Sequence, residues 1–100
     1  MSELEAMRGL VSDLDTLWRS SNVGTVPATE VADAFERHTA ALPEQSKLRA
    51  QFTSLASRLR QGPKRTRAEG IRQLTRKLQL QADEFAAVVE ARDARLRGKG

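Results

Sequence analysis

The sequence contains no cysteine and no tyrosine, and only one histidine and one tryptophan occur among its 100 residues. Without cysteine there is no disulfide, thiol nucleophile or thiolate metal ligand, so nothing indicates an oxidising compartment. No apolar run approaches the roughly 18 residues of a membrane span, and the amino-terminal segment is acidic where a signal peptide would be apolar. We therefore expect a cytoplasmic protein without membrane association.

Residues that favour β-structure are also scarce, since aromatic side chains make up 4% of the chain and β-branched apolar residues are few. Alanine, leucine, arginine, glutamate and glutamine dominate, and these residues favour helices. Large apolar residues are just numerous enough for a folded core. The composition therefore predicts an all-α protein that forms a single domain over residues 1–100. No internal repeat of about 20 to 50 residues stands out.

Apolar periodicity and helix-breaking residues predict a small bundle of about four helices, at about residues 3–20, 27–41, 43–60 and 67–97. Two segments have the form of capping boxes, Ser2–Glu5 and Thr66–Glu69. Two prolines, Pro27 and Pro43, are suited to a first helical turn because the missing amide hydrogen has no partner there. Each predicted helix carries one aromatic residue, which we expect to pack in a shared core.

The fourth helix is predicted to be much longer than the others. At 1.5 Å per residue, its roughly 31 residues would extend about 46 Å, against about 27 Å for an 18-residue helix. Its apolar residues fall within an arc of about 60°: Ile71, Leu74, Leu78, Phe85, Val89 and Leu96. Because the arc is longer than its neighbours can cover, we expect the helix either to kink or to project from the bundle.

Basic residues are concentrated in one segment of a chain whose net charge is only +4. Between residues 58 and 77 lie eight basic side chains and one acidic: Arg58, Arg60, Lys64, Arg65, Arg67, Arg72, Arg76 and Lys77, with Glu69. Such a segment is suited to binding a polyanion through its phosphates. It lacks the aromatic and asparagine side chains that read bases. A solvated face that balances the acidic amino-terminal half explains the same residues.

The spacing from Arg8 to His38 resembles that of a degenerate EF-hand, with Gly24 in the middle of a loop, Val26 two residues later and Glu30 at the twelfth position. The places of the early oxygen ligands hold Arg19, Ser21 and Val23. The resemblance therefore implies a helix–loop–helix unit that does not bind calcium. A helix pair joined by a glycine-containing turn explains the same residues. Residues 27–32 also resemble the start of the positioning helix of a helix-turn-helix, whose next helix would begin at Pro43.

No set of residues in the sequence has the pattern of a catalytic or metal site. His38 shares a helix face with Val31 and Phe35, so we expect it at the edge of the core. Nearby carboxylates such as Asp33 and Glu36 do not complete a recognised ligand set. No acid–base pair, activated nucleophile or phosphate-binding loop is evident. We therefore expect no enzymatic activity, no cofactor, no metal and no small-molecule substrate.

Our preferred interpretation is a protein-interaction or assembly module that uses the long last helix, by self-association such as a coiled coil or by binding another protein. The residues expected to make apolar contacts are Phe85, Val88, Val89 and Leu96, with Arg72 and Arg76 steering an acidic surface. The alternative is a nucleic-acid-binding protein that contacts phosphates through the basic residues of segment 58–77.

Overall fold

The computed structural model describes residues 3–98 and confirms the predicted fold, a mainly helical chain with a long carboxy-terminal helix. Its helices are α1 (Glu3–Arg19), α2 (Ala28–Thr39), α3 (Lys47–Gln61) and α4 (Ala68–Gly98), and two short strands, β1 (Thr25–Pro27) and β2 (Arg65–Arg67), precede α2 and α4. None of the helices in this range combines the length and the hydrophobicity needed to cross a bilayer.

The two strands form an antiparallel pair that the sequence did not predict. Their register places Thr25 opposite Arg67, Val26 opposite Thr66 and Pro27 opposite Arg65. Val26 is buried, so the pair is attached to the core through this residue. The strands therefore join the loop before α2 to the loop before α4, about 40 residues later.

The chain folds as two helix–strand–helix halves that meet at this strand pair. In each half, the first residue of the helix that follows the strand donates a hydrogen bond to the residue just before the strand of the other half. The amide of Ala28 donates to the carbonyl of Lys64 at 2.8 Å, and the amide of Ala68 donates to the carbonyl of Gly24 at 2.9 Å. The fourth residue of α2, Val31, and the fourth residue of α4, Ile71, are both buried. The structure thus contains an internal repeat that the sequence does not show, because few equivalent positions share a residue type.

Packing between the halves forms the core. Helix α1 packs mainly along α4, and α2 packs along α3, so each helix has its most extensive contact with a helix of the other half. Phe35 and Phe52 are fully buried and meet edge to face, with ring centroids 5.5 Å apart and an interplanar angle of 73°. Trp18 and Phe85 are only partly buried. The expectation of one central aromatic per helix is therefore correct for α2 and α3 alone.

The helix starts predicted at about 27 and 67 lie within one residue of those observed, but the start predicted at 43 is wrong by four residues, and the roles predicted for Pro27 and Thr66 are wrong. Pro27 is the last residue of β1, and α2 begins after it. Helix α3 begins at Lys47 and not at Pro43, because Ser46 is the N-cap and its side chain accepts a hydrogen bond from the amide of Arg49. Thr66 lies in β2 and not at a helix cap, because its backbone pairs with β1. The other predicted capping box begins at Ser2, which lies outside the described residues.

Candidate interaction surface

The carboxy-terminal part of α4, residues 83–98, extends beyond the bundle and is called the α4 extension below. Ala82 is the last fully buried residue of α4, and all side chains of residues 91–98 are exposed. Arg8 of α1 and Asp83 form an ion pair of 2.8 Å where the extension begins. The helix does not kink back onto the bundle, so the structure supports projection of its end.

The apolar residues predicted for partner contact lie on this extension. Val88 is 61% exposed and Leu96 is 66% exposed, while Phe85 and Val89 are partly buried. With 3.6 residues per turn, these four side chains lie on one side of the helix, and this side continues the face that packs against α1 nearer the start of α4. We call them the apolar strip; Arg92 is the one cation that interrupts it.

A pocket of about 210 Å³ lies at the base of the extension. Its apolar wall is formed by Met7, Leu48 and Phe85, and the polar side chains at its edge include Glu3 and Lys47. Three helices meet here, since Met7 belongs to α1, Leu48 to α3 and Phe85 to α4. We call this cavity the Phe85 pocket, and its size and lining suit one aliphatic side chain.

Charge is unevenly distributed along the α4 extension. Residues 83–90 contain three acidic side chains and no basic one, whereas residues 91–98 contain three arginines and one aspartate. Within the described chain, Glu84, Glu90, Arg92, Arg95 and Arg97 form no ion pair. The extension therefore has an acidic first half and a basic second half, both open to solvent.

The basic segment 58–77 does not form one surface, because its arginines point to different neighbours. Arg60 binds Asp33 at 2.6 Å and Glu36 at 2.7 Å across the interface between α2 and α3. The hydrogen bond from Arg60 lowers the pKa of Glu36, and the two carboxylates raise the pKa of Arg60. Arg72 binds Glu69 at 3.1 Å and lies 5.9 Å from the ring centroid of Trp18. These two arginines are therefore neutralised within the chain.

Arg65 is also engaged, because its guanidinium binds the first residue of β1. Its Nε donates to the Thr25 hydroxyl at 2.7 Å, and one Nη donates to the Thr25 carbonyl at 3.2 Å. Six basic residues of the segment form no ion pair within residues 3–98, namely Arg65 and the five residues Arg58, Lys64, Arg67, Arg76 and Lys77. Unlike Arg65, the last five also form no side-chain hydrogen bond within the described residues, so their charged groups are open to an external anion.

In the loop that resembles an EF-hand, two of the three residues at the early ligand positions, Arg19 and Ser21, form bonds within the protein itself. Gly24 has φ of +76°, a left-handed conformation that glycine adopts without strain. The Ser21 hydroxyl donates to the Thr25 carbonyl at 2.9 Å, beside the bond from Arg65. Arg19 points back to Asp15 at 2.8 Å. The loop is thus held by hydrogen bonds and an ion pair within the chain. The described residues contain no group of three or more potential metal ligands.

A second groove, of about 240 Å³, lies between α3 and α4 and was not predicted from the sequence. Leu55, Leu59 and Leu74 form its apolar lining, and Arg58 and Arg65 are at its edge. The corresponding groove of the first half, between α1 and α2, is acidic, with Asp13, Glu30 and Asp33 among its lining residues. The two halves therefore share a backbone plan and present opposite charges.

His38 lies at the edge of the core, as predicted, with 18% of its side chain exposed. Its Nε2 is 2.6 Å from a carboxylate oxygen of Asp13, and Arg37 binds the same oxygen at 2.8 Å. Gly9 of α1 faces the imidazole ring so closely that a Cβ atom there would lie 2.6 Å from its Cε1. Gly9 was not predicted to be important, since a glycine within a helical pattern does not reveal its neighbour.

Comparison of the chain with known protein families, with curated proteins and with solved structures finds no match. The geometry of the described residues is therefore the basis for any functional conclusion.

Proposed function

We propose that this protein is a non-catalytic protein-interaction or assembly module whose binding surface is the α4 extension. The observation that carries the proposal is the exposure of Val88 and Leu96 on a helix that extends past its own bundle. Apolar side chains on a helix that projects from its bundle are buried only when another surface covers them. Each large aliphatic side chain buried in this way contributes about 1.5 to 3 kcal/mol to binding.

The predicted contribution of Arg72 to this surface is not part of the proposal, because Arg72 is bound to Glu69 and lies against Trp18. Arg76 is exposed and unpaired within the described chain, but at 100° per residue it lies on the side of α4 opposite to the apolar strip. The proposed surface therefore consists of Phe85, Val88, Val89 and Leu96, flanked by the charges of the extension itself.

Photo-crosslinking in the native cell tests the proposal. A photoreactive amino acid at position 88 or 96 is expected to give a covalent adduct heavier than 11.1 kDa. Position 80 is the matched control, because Leu80 is 63% exposed on the same helix but lies away from the apolar strip. Absence of adducts at positions 88 and 96, or equal adducts at position 80, would refute the proposal.

A second candidate function is phosphate-directed binding of nucleic acid, favoured by the six basic residues of segment 58–77 that lack an ion pair within the described chain. We expect retention of mixed DNA or RNA at about 50 mM salt and a steep loss with added salt, because binding to phosphates releases counterions. Lys64→Ala with Arg67→Ala should weaken retention. Arg60→Ala should not, since Arg60 is neutralised by α2. No retention at low salt would exclude this function.

A further inference from the structure

We propose that the occupant of the α4 extension is the α4 extension of a second copy of this chain, bound antiparallel, so that the protein forms a symmetric dimer. This inference rests on the proposed function and names its partner. Its main support is the division of charge along the extension, which an antiparallel partner matches and a parallel partner opposes.

Antiparallel pairing places the acidic residues 83–90 of one copy beside the basic residues 91–98 of the other. Parallel pairing would place acidic residues against acidic residues and arginines against arginines. Like charges held next to each other oppose association, whereas opposite charges fix orientation and register. The extension is therefore complementary to itself in one orientation only.

The positions around the helix give the register. Glu84 and Arg95 both lie about 90° to the same side of the apolar strip, from 3.6 residues per turn. In an antiparallel pair, residues on the same side of the two strips face each other. If the two-fold axis passes near residue 90, Glu84 of each copy meets Arg95 of the other.

The same register brings Leu96 of each copy level with Phe85 of the other, where the Phe85 pocket opens. Leu96 is 66% exposed in the single chain and would lose this exposure against Met7, Leu48 and Phe85. Each copy supplies one leucine and one pocket, so the interface uses the same patch twice. Such an interface closes on itself and gives a dimer without forming longer assemblies.

Sedimentation equilibrium of the purified chain tests the arrangement, at protein concentrations up to about 1 mM because a helix pair of this length buries less than a standard interface. The wild-type mass should rise with concentration toward twice 11.1 kDa. Glu84→Arg and Arg95→Glu should each weaken association at least about fivefold, since each reversal replaces two attractive pairs by two repulsive ones.

The chain that carries both reversals should associate within about twofold of wild type, because it restores opposite charges across the interface. Glu30→Arg and Arg76→Glu make the same changes in net charge away from the extension, and neither should alter association. Arg92→Leu removes the cation from the apolar strip and should strengthen association about tenfold or more. Circular dichroism of each variant establishes that it is folded.

A wild-type chain that stays monomeric throughout, or a double reversal as weak as the single ones, would overturn the dimer. A decrease in association on Arg92→Leu would do the same. These failures differ from failure of the proposed function: if position 88 crosslinks to a different protein in the cell while the purified chain is monomeric, the interaction surface remains and its partner is not a second copy.

Discussion

Replacing Gly9 by alanine tests how the first two helices are held together. A Cβ at this position would lie 2.6 Å from Cε1 and 2.9 Å from Nδ1 of the His38 ring, well inside van der Waals contact. The ring has little room to move, because His38 is bonded to Asp13 and mostly buried. The substitution must therefore displace the imidazole, and we expect it to break this bond.

Two opposing terms set the magnitude. Alanine within a helix is more stable than glycine by about 0.5 to 1 kcal/mol. Loss of a hydrogen bond to a charged group costs about 1.5 to 3 kcal/mol, and we take the lower end because Asp13 keeps 34% of its side chain exposed. Displacing the ring adds to this cost. We expect Gly9→Ala to destabilise the fold by about 1 kcal/mol, a fall in Tm of about 4 to 8 °C.

The sign should reverse when the histidine is absent. In a His38→Ala background the added methyl group meets no ring, so Gly9→Ala should raise the free energy of unfolding by about 0.5 to 1 kcal/mol. Urea unfolding followed by circular dichroism on wild type, both single variants and the double variant measures the coupling directly. Equal effects of Gly9→Ala in the two backgrounds would show that the close approach to His38 has no energetic consequence.

Further expectations concern the loop, the core and acid stability. Gly24→Ala should destabilise the fold by about 1 to 2 kcal/mol, because Gly24 has a positive φ. Gly70→Ala should stabilise the fold by about 0.5 to 1 kcal/mol, because a Cβ at this helical position meets no other atom. Thermal unfolding in which Gly24→Ala is not the less stable of the two variants would contradict the loop geometry. Phe52→Ala should cost about 3 to 5 kcal/mol, and Phe85→Ala clearly less in the same denaturant titration, so equal losses would contradict their different burial. The lowered pKa of Glu36 adds stability that is complete above its ordinary value of 4.5 and is lost as pH falls through the folded-state value. The stability difference between wild type and Glu36→Gln should therefore shrink as pH falls from about 6 to about 3, and a constant difference would exclude this linkage.

Local sequence signals were sufficient to predict most of the helical architecture. The fourth helix was predicted at about 67–97 and lies at Ala68–Gly98, because its long apolar period contains no strong breaker. The start of α3 was misplaced because Pro43 and Ser46 are both acceptable near a helix start, and only the bond from the Arg49 amide to the Ser46 side chain decides between them. Boundaries of this kind depend on single hydrogen bonds, which composition and periodicity do not encode.

The strand pair and the repeat were not predictable in the same way. Strand β1 has only three residues, one of them Pro27, which is too few to show the alternating pattern of a strand. Its partners lie about 40 residues away in the basic segment, where the sequence shows no strand pattern either. Leu10 and Leu14 occupy in α1 the buried positions that Phe52 and Ala56 occupy in α3, so the repeat is one of packing.

Of the candidate site, the apolar strip followed from periodicity, since helix length exceeded what the neighbouring helices could cover. The partners of the basic segment could not be predicted from the sequence, because a count of charges along the chain does not show where each side chain points. Arg60 turns toward α2, Arg72 toward Trp18 and Arg65 toward Thr25. The Phe85 pocket was also inaccessible to sequence reasoning, since its walls come from three helices that are distant along the chain.

Because α1 packs along α4, α1 leaves the ribosome well before its principal neighbour has been synthesised. Until then its buried residues, among them Leu10 and Leu14, stay open to water or to a chaperone. Helices α2 and α3 emerge consecutively and can associate much earlier. We therefore expect α2 and α3 to associate during synthesis before α1 and α4 do.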